Sequence, residues 1–259
     1  MIKTALITGA SSGIGKELAK IHAQNGGNLV IVARSGGKLK SLKQDLETKH
    51  NIKVYIIEKD LTKAKAAKEI HDEISENNIQ IDYLINNAGF GGIGKFHERN
   101  LEEDLSMIDL NIKALTAMTH YFLQDFIKNN SGKILNVSST ASLLPGPLQA
   151  VYYATKSYVT SFSNAIAEEL KETNITVTNL MPGATDTSFG KVSGMDKTEL
   201  FKNTASAKTV AKEAYEAMLK GKLDVIAGLT FPQKIMMGLI PIIPKKALLK
   251  QVKKMQSID

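Results

Sequence analysis

The chain contains no cysteine. Disulfide staples and thiolate metal sites are thereby excluded; the fold must be held by its core, and a reducing compartment suits it. Apolar runs long enough to span a bilayer, about 20 residues, are also missing. The opening run, Ile2 to Thr8, stops at Gly9, too abruptly for a signal peptide or a spanning helix, so a cytoplasmic protein is expected. His22, His50, His71, His97 and His120 are scattered without ligand spacing. No metal is expected, and each of them reads as a surface or helix-face residue. No linker, repeat or low-complexity segment divides the 259 residues, which predicts one domain over 1–259. Strong charge is lacking outside the tail. The net charge is +7, but between Phe231 and Asp259 the lysines 234, 245, 246, 250, 253 and 254 stand against the single acid Asp259, and the remainder is near neutral. No aromatic-interleaved basic stripe accompanies them, so nucleic acid is not an expected partner.

What is present is an alternation of short apolar runs and helical patterns. Strands are predicted at Ile2 to Thr8, Asn28 to Ala33, Ile52 to Ile57, Ile81 to Ile85, Lys133 to Val137, Ile175 to Met181 and Leu223 to Ala227. Helices are predicted after Gly15, over Lys38 to His50 and Lys63 to Asn77, from the Asn100/Glu103 capping pattern to Asn129, from about Tyr152 to Thr173, and in patches over Asp196 to Lys220. Repeated βα units with short connections imply the α/β class, a Rossmann-type doubly wound parallel sheet of about seven strands with helices on both faces. Ligands then belong at the carboxyl ends of the strands.

The residues at those ends carry chemistry. Gly9-Ala10-Ser11-Ser12-Gly13-Ile14-Gly15 joins a strand to a helix, the context of a phosphate-binding loop: Gly9 for the tight turn, Gly13 for close approach to a pyrophosphate, Gly15 for helix–strand packing. At the end of the second strand Ala33 replaces the acid that would select NAD, and Arg34 suits a 2′-phosphate, so NADP(H) rather than NAD(H) is expected. Asp60 and the Asn86-Asn87-Ala88-Gly89 turn end the next two strands. Asn111 falls inside a long predicted helix, where Asn is a poor choice, and so points to strain or function. Tyr152 and Lys156 stand four apart, on one face of a helix. An ammonium about 5 Å from a phenol, at an effective dielectric of about 20, favours phenolate by roughly 3 kcal/mol. That lowers the phenol by about two pKa units, toward the range of efficient acid–base catalysis.

Taken in order, Thr8 to Gly15, Asp60-Leu61, Asn86 to Gly89, Asn111, Ser139, Tyr152-x-x-x-Lys156 and Pro182-Gly183 followed by Thr187 make the chain, over about Ile2 to Ala227, resemble the short-chain dehydrogenase/reductase family in its single-domain branch. The resemblance implies an oxidoreductase that interconverts a carbonyl and an alcohol by hydride transfer. Tyr152 would be its general acid or base, with Ser139 donating a hydrogen bond to the substrate oxygen and Ser138 the lesser candidate. Lys156 would lower the Tyr152 pKa and bind the nicotinamide ribose, and Asn111 would hold a relay water. For the cofactor it implies Gly9, Ser11, Ser12, Gly13, Ile14 and Gly15 at the phosphates. Asp60 and Leu61 would flank the adenine, with Asn87, Ala88 and Gly89 on the cofactor side, and Pro182, Gly183, Thr185 and Thr187 would hold the carboxamide. A non-catalytic cofactor-binding protein on this fold is the alternative, though such proteins typically lose the Tyr or the Lys. The substrate, a small carbonyl or alcohol, would be read by Ser142 to Val151 and Ser188 to Thr209, which show no decodable motif. The tail over 231–259 is open to three readings: a lid over a lipophilic or acyl substrate, core and subunit-contact material, or an anchor making weak peripheral contact with anionic lipid. Assembly as a homodimer or homotetramer through Leu101 to Asn129 and Tyr152 to Thr173 is also implied.

Overall fold

A computed structural model describes residues 2–257; Met1, Ile258 and Asp259, the tail's one acid, lie outside the described residues, as do the outermost ends of the 1–259 domain and the 231–259 tail. Seven strands, β1 (Thr4–Thr8), β2 (Asn28–Ala33), β3 (Val54–Glu58), β4 (Tyr83–Asn86), β5 (Gly132–Val137), β6 (Ile175–Pro182) and β9 (Asp224–Ala227), form one sheet in the order β3-β2-β1-β4-β5-β6-β9. Every neighbouring pair is parallel. A separate two-stranded ladder joins β7 (Thr185–Asp186) to β8 (Ala205–Ser206).

The strands are continuous apolar runs because both faces are covered. Side chains alternate across a strand. Ala5, Ile7, Leu29, Ile31, Ile85 and Leu135 accordingly pack against Leu18 and Ala19 of α1 (Gly13–Gln24), Leu39 and Leu42 of α2 (Gly36–Lys49) and Val210 and Ala214 of α8 (Ala207–Leu219). The intervening Leu6, Val30, Val32, Leu84, Ile134 and Val177 meet Ile70 and Ile74 of α3 (Ala66–Glu76), Phe122 and Phe126 of α5 (Leu115–Asn129) and Ile166 of α6 (Ala150–Glu169). Sequence and structure agree on the seven strands, with bounds displaced by one or two residues.

Three features depart from expectation. The long helix predicted from Asn100 is interrupted: α4 (Leu101–Ile108) and α5 are joined by a π-helical stretch, Asp109–Ala114, that contains Asn111. Asn100 does cap α4, accepting from the Glu102 and Glu103 amides at 2.8 and 3.2 Å. The last helix before β6 stops at Glu169, short of Thr173. His22 is a helix-face residue, but on the buried face of α1 rather than at the surface, 1% exposed, its ring nitrogens bonded to the Tyr215 hydroxyl and the Lys3 carbonyl. Among the described residues no helix is long and apolar enough to cross a membrane.

One polar row runs through this apolar sheet. Asn86, Asn136, Asn179 and Asp224 are register neighbours across β4, β5, β6 and β9. Asn86 donates to Asn136 at 2.9 Å and to Thr119 at 3.0 Å, Asn136 to Ser163 at 3.0 Å, and Asn179 to Asp224 at 2.8 Å. Asn136 and Asn179 are fully buried, so removing one partner strands another in a medium where an unpaired polar group costs about 1–3 kcal/mol. Asn136→Leu is expected to lose about that much stability in urea unfolding; an unchanged midpoint would show that the row contributes nothing.

Candidate active site

The cleft opens where the connections after β1 and β4 leave toward opposite faces, the switch point at which open parallel sheets bind ligands. Two turns are tied together there. The Thr8 hydroxyl accepts from the Asn87 and Ala88 amides, each at 3.0 Å, and the Asn87 amide group donates to the Thr8 carbonyl at 2.9 Å and the Gly9 carbonyl at 3.2 Å. Gly9 has φ +67°, and a Cβ on it would lie 2.8 Å from Asn87 Nδ2 and 2.9 Å from Ala88 Cα. Gly13, with φ +54°, faces the Thr187 methyl group, where a Cβ would come within 2.9 Å. Its smallness therefore serves contact with the turn after β6 as well as any approach by a phosphate. Ser12 precedes α1 without capping it by its side chain, leaving first-turn amides directed at the cleft, an arrangement suited to a pyrophosphate.

At the adenosine end, Ala33, Arg34, Ser35, Lys38, Asp60 and Leu61 line the cleft. Arg34 is exposed, and among the described residues no carboxylate lies within 4.0 Å of its guanidinium. Asp60 accepts from the Thr62 amide at 3.0 Å and the Thr62 hydroxyl at 2.8 Å. Burial works against its ionisation, but those bonds and the charges of Arg34 and Lys63 hold its carboxyl below the ordinary range. These residues fit a nicotinamide dinucleotide.

At the other end Tyr152, Lys156, Ser139 and Asn111 come together, each at least nine-tenths buried. Lys156 Nζ lies 6.0 Å from the Tyr152 ring centre and donates to the Val137 carbonyl at 2.8 Å. The lowered phenol pKa expected from sequence is not found. Burial pushes Tyr152 up to about 12, with the adjacent Ser139 hydroxyl opposing it, and burial pulls Lys156 down to about 8. Desolvation of both groups outweighs their mutual attraction. Ser138 is committed elsewhere, bonded to the Lys156 carbonyl and to Thr160, each at 2.8 Å, which leaves Ser139 on the cavity wall. Asn111 donates to the Phe90 carbonyl at 2.9 Å and to Thr155 at 3.1 Å, and accepts from the Phe90 amide at 3.2 Å. Its amide braces the turn beyond Gly89 against α6. Thr185 bonds back to the Gly183 carbonyl, and Thr187 caps α7 (Ser188–Ser193).

Beyond Tyr152 the cleft widens, enclosing in all about 490 Å³. Phe189 lies against Tyr152, ring centres 5.6 Å apart. The tail closes the far side: α9 (Phe231–Leu239) contributes Met236 and Met237, and α10 (Lys245–Gln256) contributes Leu248 and Val252. Gln256, fully buried, donates to the Tyr153 hydroxyl and so pins α10 beside the reacting group. Thr8 lay in the glycine motif, Phe189 in the predicted substrate stretch and the tail was a candidate lid, but none of Thr8, Phe189, Leu248 and Val252 had an individual role assigned from the sequence. A hydroxyl just before the glycine turn was the available signal for the bracing role of Thr8, whereas no local pattern singles out Phe189, Leu248 or Val252.

A doubly wound parallel sheet with a glycine-turn cradle at its switch point and a buried Tyr–Lys–Ser group beside it defines a nicotinamide-dinucleotide oxidoreductase. The short chain dehydrogenase family model matches residues 3–198, and the chain belongs to that family. It is 34% identical over 195 residues to the NADP-dependent 3-hydroxy acid dehydrogenase of Schizosaccharomyces pombe, covering 73% of this chain and 74% of that one. It is 32% identical over 196 residues to the very-long-chain 3-oxoacyl-CoA reductase of Rattus norvegicus, covering 73% of this chain and 61% of that protein. Among solved structures it is similar to a short-chain dehydrogenase from Sphingobium yanoikuyae in complex with NADPH, at a TM-score of 0.83 and 28% identity over 94% of this chain and 97% of that one. A Burkholderia phymatum member in complex with NAD shares the fold at a TM-score of 0.82 and 22% identity, over 92% of each chain.

The two pKa values set a pH dependence. Below about 8 Lys156 carries its charge, and above it the charge is lost while Tyr152 keeps its proton to about 12. Carbonyl reduction is therefore expected to be level up to about pH 8 and to fall by about tenfold per unit above it. A pH–rate profile that stays flat to pH 10 would contradict this.

Proposed function

We infer that the protein is an NADP(H)-dependent oxidoreductase that interconverts a lipophilic ketone or aldehyde, acyl derivatives included, and the corresponding alcohol. The observation that carries this reading is the meeting of Tyr152, Ser139 and Lys156 at the floor of a cavity whose far wall is apolar tail. When bound, the reduced nicotinamide supplies the hydride that adds to the carbonyl carbon. Tyr152, still protonated at neutral pH, gives its proton to the carbonyl oxygen, and Ser139 donates a hydrogen bond to that same oxygen as charge gathers there. Lys156, anchored on Val137, faces the phenolate left behind and keeps N–H groups for ribose hydroxyls. Asn111 holds Phe90 and α6 in place around them.

The NADP(H) preference rests on Ala33 and on the exposed Arg34, whose guanidinium has no carboxylate within 4.0 Å among the described residues. It is supported by the NADP dependence of the similar Schizosaccharomyces pombe protein and the NADPH bound to the Sphingobium one. In this reading the enzyme works in the cytoplasm, and α9 and α10 form a lid over the substrate. The outward Phe231, Ile235 and Leu239, with the α10 lysines, suit weak contact with anionic lipid. A homodimer or homotetramer uses the exposed Leu101, Leu105 and Ile127 of the paired helices.

Tyr152→Phe is expected to lower kcat for reduction of a hydrophobic ketone by about 10²–10⁴ with NADPH affinity preserved; undiminished turnover would overturn the mechanism. Arg34→Ala is expected to weaken NADPH binding about tenfold or more, roughly 1.4 kcal/mol, and to leave NADH binding unchanged. Equal losses for the two cofactors would remove Arg34 from specificity.

A further inference from the structure

The two tail helices turn different chemistry outward. α9 carries Phe231, Pro232, Ile235, Met236, Met237 and Leu239, with Lys234 as its one charge, yet none of its residues is buried. Met237 packs into the apolar cluster around Tyr152 and Tyr153. On the other side of the helix Phe231, Ile235 and Leu239 follow at intervals of four and form one stripe. They are 76%, 51% and 48% exposed, Ile242 just beyond them is 77% exposed, and a Cβ on Gly238 beside the stripe would meet nothing within 4 Å. Soluble proteins seldom leave so continuous an apolar strip bare unless a partner covers it.

α10 is built differently. Leu248, Val252 and Gln256 face inward at intervals of four and are buried, while Lys246, Lys250 and Lys253 share the other side and are exposed. Among the described residues the tail makes one salt bridge, Lys234 to Glu213 at 3.3 Å, so the α10 lysines have no carboxylate within 4.0 Å. Met237 of α9 and Leu248 and Val252 of α10 all line the one cavity. The apolar stripe and the lysine row therefore belong to the outer side of a single lid.

An apolar stripe beside a row of cations matches an anionic bilayer, which takes the ring and branched chains at its headgroup–acyl boundary and the lysines on its phosphates. Nucleic acid would leave the stripe uncovered. A second copy of the chain docked face to face would bring its own lysines against these, and like charges across an interface repel.

We propose that the outer side of α9 and α10 is a docking surface for an anionic phospholipid bilayer, with Phe231, Ile235 and Leu239 entering the boundary layer and Lys246, Lys250 and Lys253 on the headgroups. The lid then lies against the membrane, and lipophilic carbonyl compounds pass from the lipid to Tyr152. The docking stands apart from the carbonyl-reductase reading; the route from lipid to Tyr152 rests on it.

The test sediments the whole chain, with NADPH bound, on vesicles of phosphatidylcholine alone and of phosphatidylcholine mixed with phosphatidylglycerol. Binding to the mixed vesicles should be about tenfold or more tighter than to the neutral ones, and added salt should remove the difference. Ile235→Ser with Leu239→Ser should weaken binding to the mixed vesicles about tenfold or more, and Lys246→Gln with Lys250→Gln and Lys253→Gln should reduce it to the neutral-vesicle level. None of these five side chains lines the cavity. Both variants should therefore keep the wild-type Tm and NADPH affinity, and kcat/KM on a short water-soluble ketone within about twofold. On a long-chain ketone dissolved in the mixed vesicles, the wild type should turn over about tenfold or more faster than either variant. A wild type that stays in the supernatant, or variants that sediment as it does, would overturn the proposal; so would tail variants that split a dimer while the wild type ignores vesicles. A wild type that binds the mixed vesicles but reduces no ketone upholds the docking, and the reductase reading falls.

Discussion

Everything in this molecule depends on the seam between β1 and β4, where the Asn87 backbone and side chain both donate hydrogen bonds to Thr8. A parallel sheet whose crossovers depart to opposite faces opens a crevice at that seam, but a crevice between two glycine-rich turns has little to hold its shape. Three bonds to the Asn87 backbone and side chain, and one from Ala88, supply that rigidity. They also explain why Gly9 stays small: the brace occupies the space its Cβ would need. Lys156 is positioned by the same logic, bonded to the carbonyl of Val137 at the end of β5 rather than to another side chain. Cradle and reacting groups are both set by strand ends.

The electrostatics of the reacting pair follow from burial. A phenol and an ammonium taken out of water shift in opposite directions, each toward its neutral form. Tyr152 at about 12 and Lys156 at about 8 are the outcome. An acid that must deliver a proton to an oxygen becoming an alkoxide needs no low pKa; it needs to be protonated when the hydride arrives. In the reading proposed above, a phenol that keeps its proton at neutral pH suits the reductive direction. An ammonium beside a phenol that both kept their water would have lowered the phenol's pKa instead, as expected from the sequence.

Much of this was legible in the chain itself, because strand ends carry short, ordered signals. Gly9 to Gly15, Asn86 to Gly89 and Tyr152 with Lys156 each sit at a boundary where local rules apply, and the structure brings them to one cleft. Asn111 was recognisable as misplaced in a helix, and the π-helical stretch is the physical form of that misfit. What stayed hidden is tertiary. The Asn86–Asn136–Asn179 row depends on register between strands distant in sequence, and an asparagine inside an apolar run, such as Asn136, was its only trace. Phe189, Met237 and Val252 meet Tyr152 through chain reversals that no period encodes.

The tail gives the cavity its character. Without α9 and α10 the space beyond Tyr152 would open to water; with them its walls are Met, Leu, Ile and Val on one side and Phe189 on the other. Gln256 fixes this arrangement by bonding Tyr153, the immediate neighbour of the reacting phenol, so the position of α10 and the geometry of α6 are mechanically joined. Any displacement of Leu248 or Val252, which line the cavity, would therefore bear on the helix that carries Tyr152.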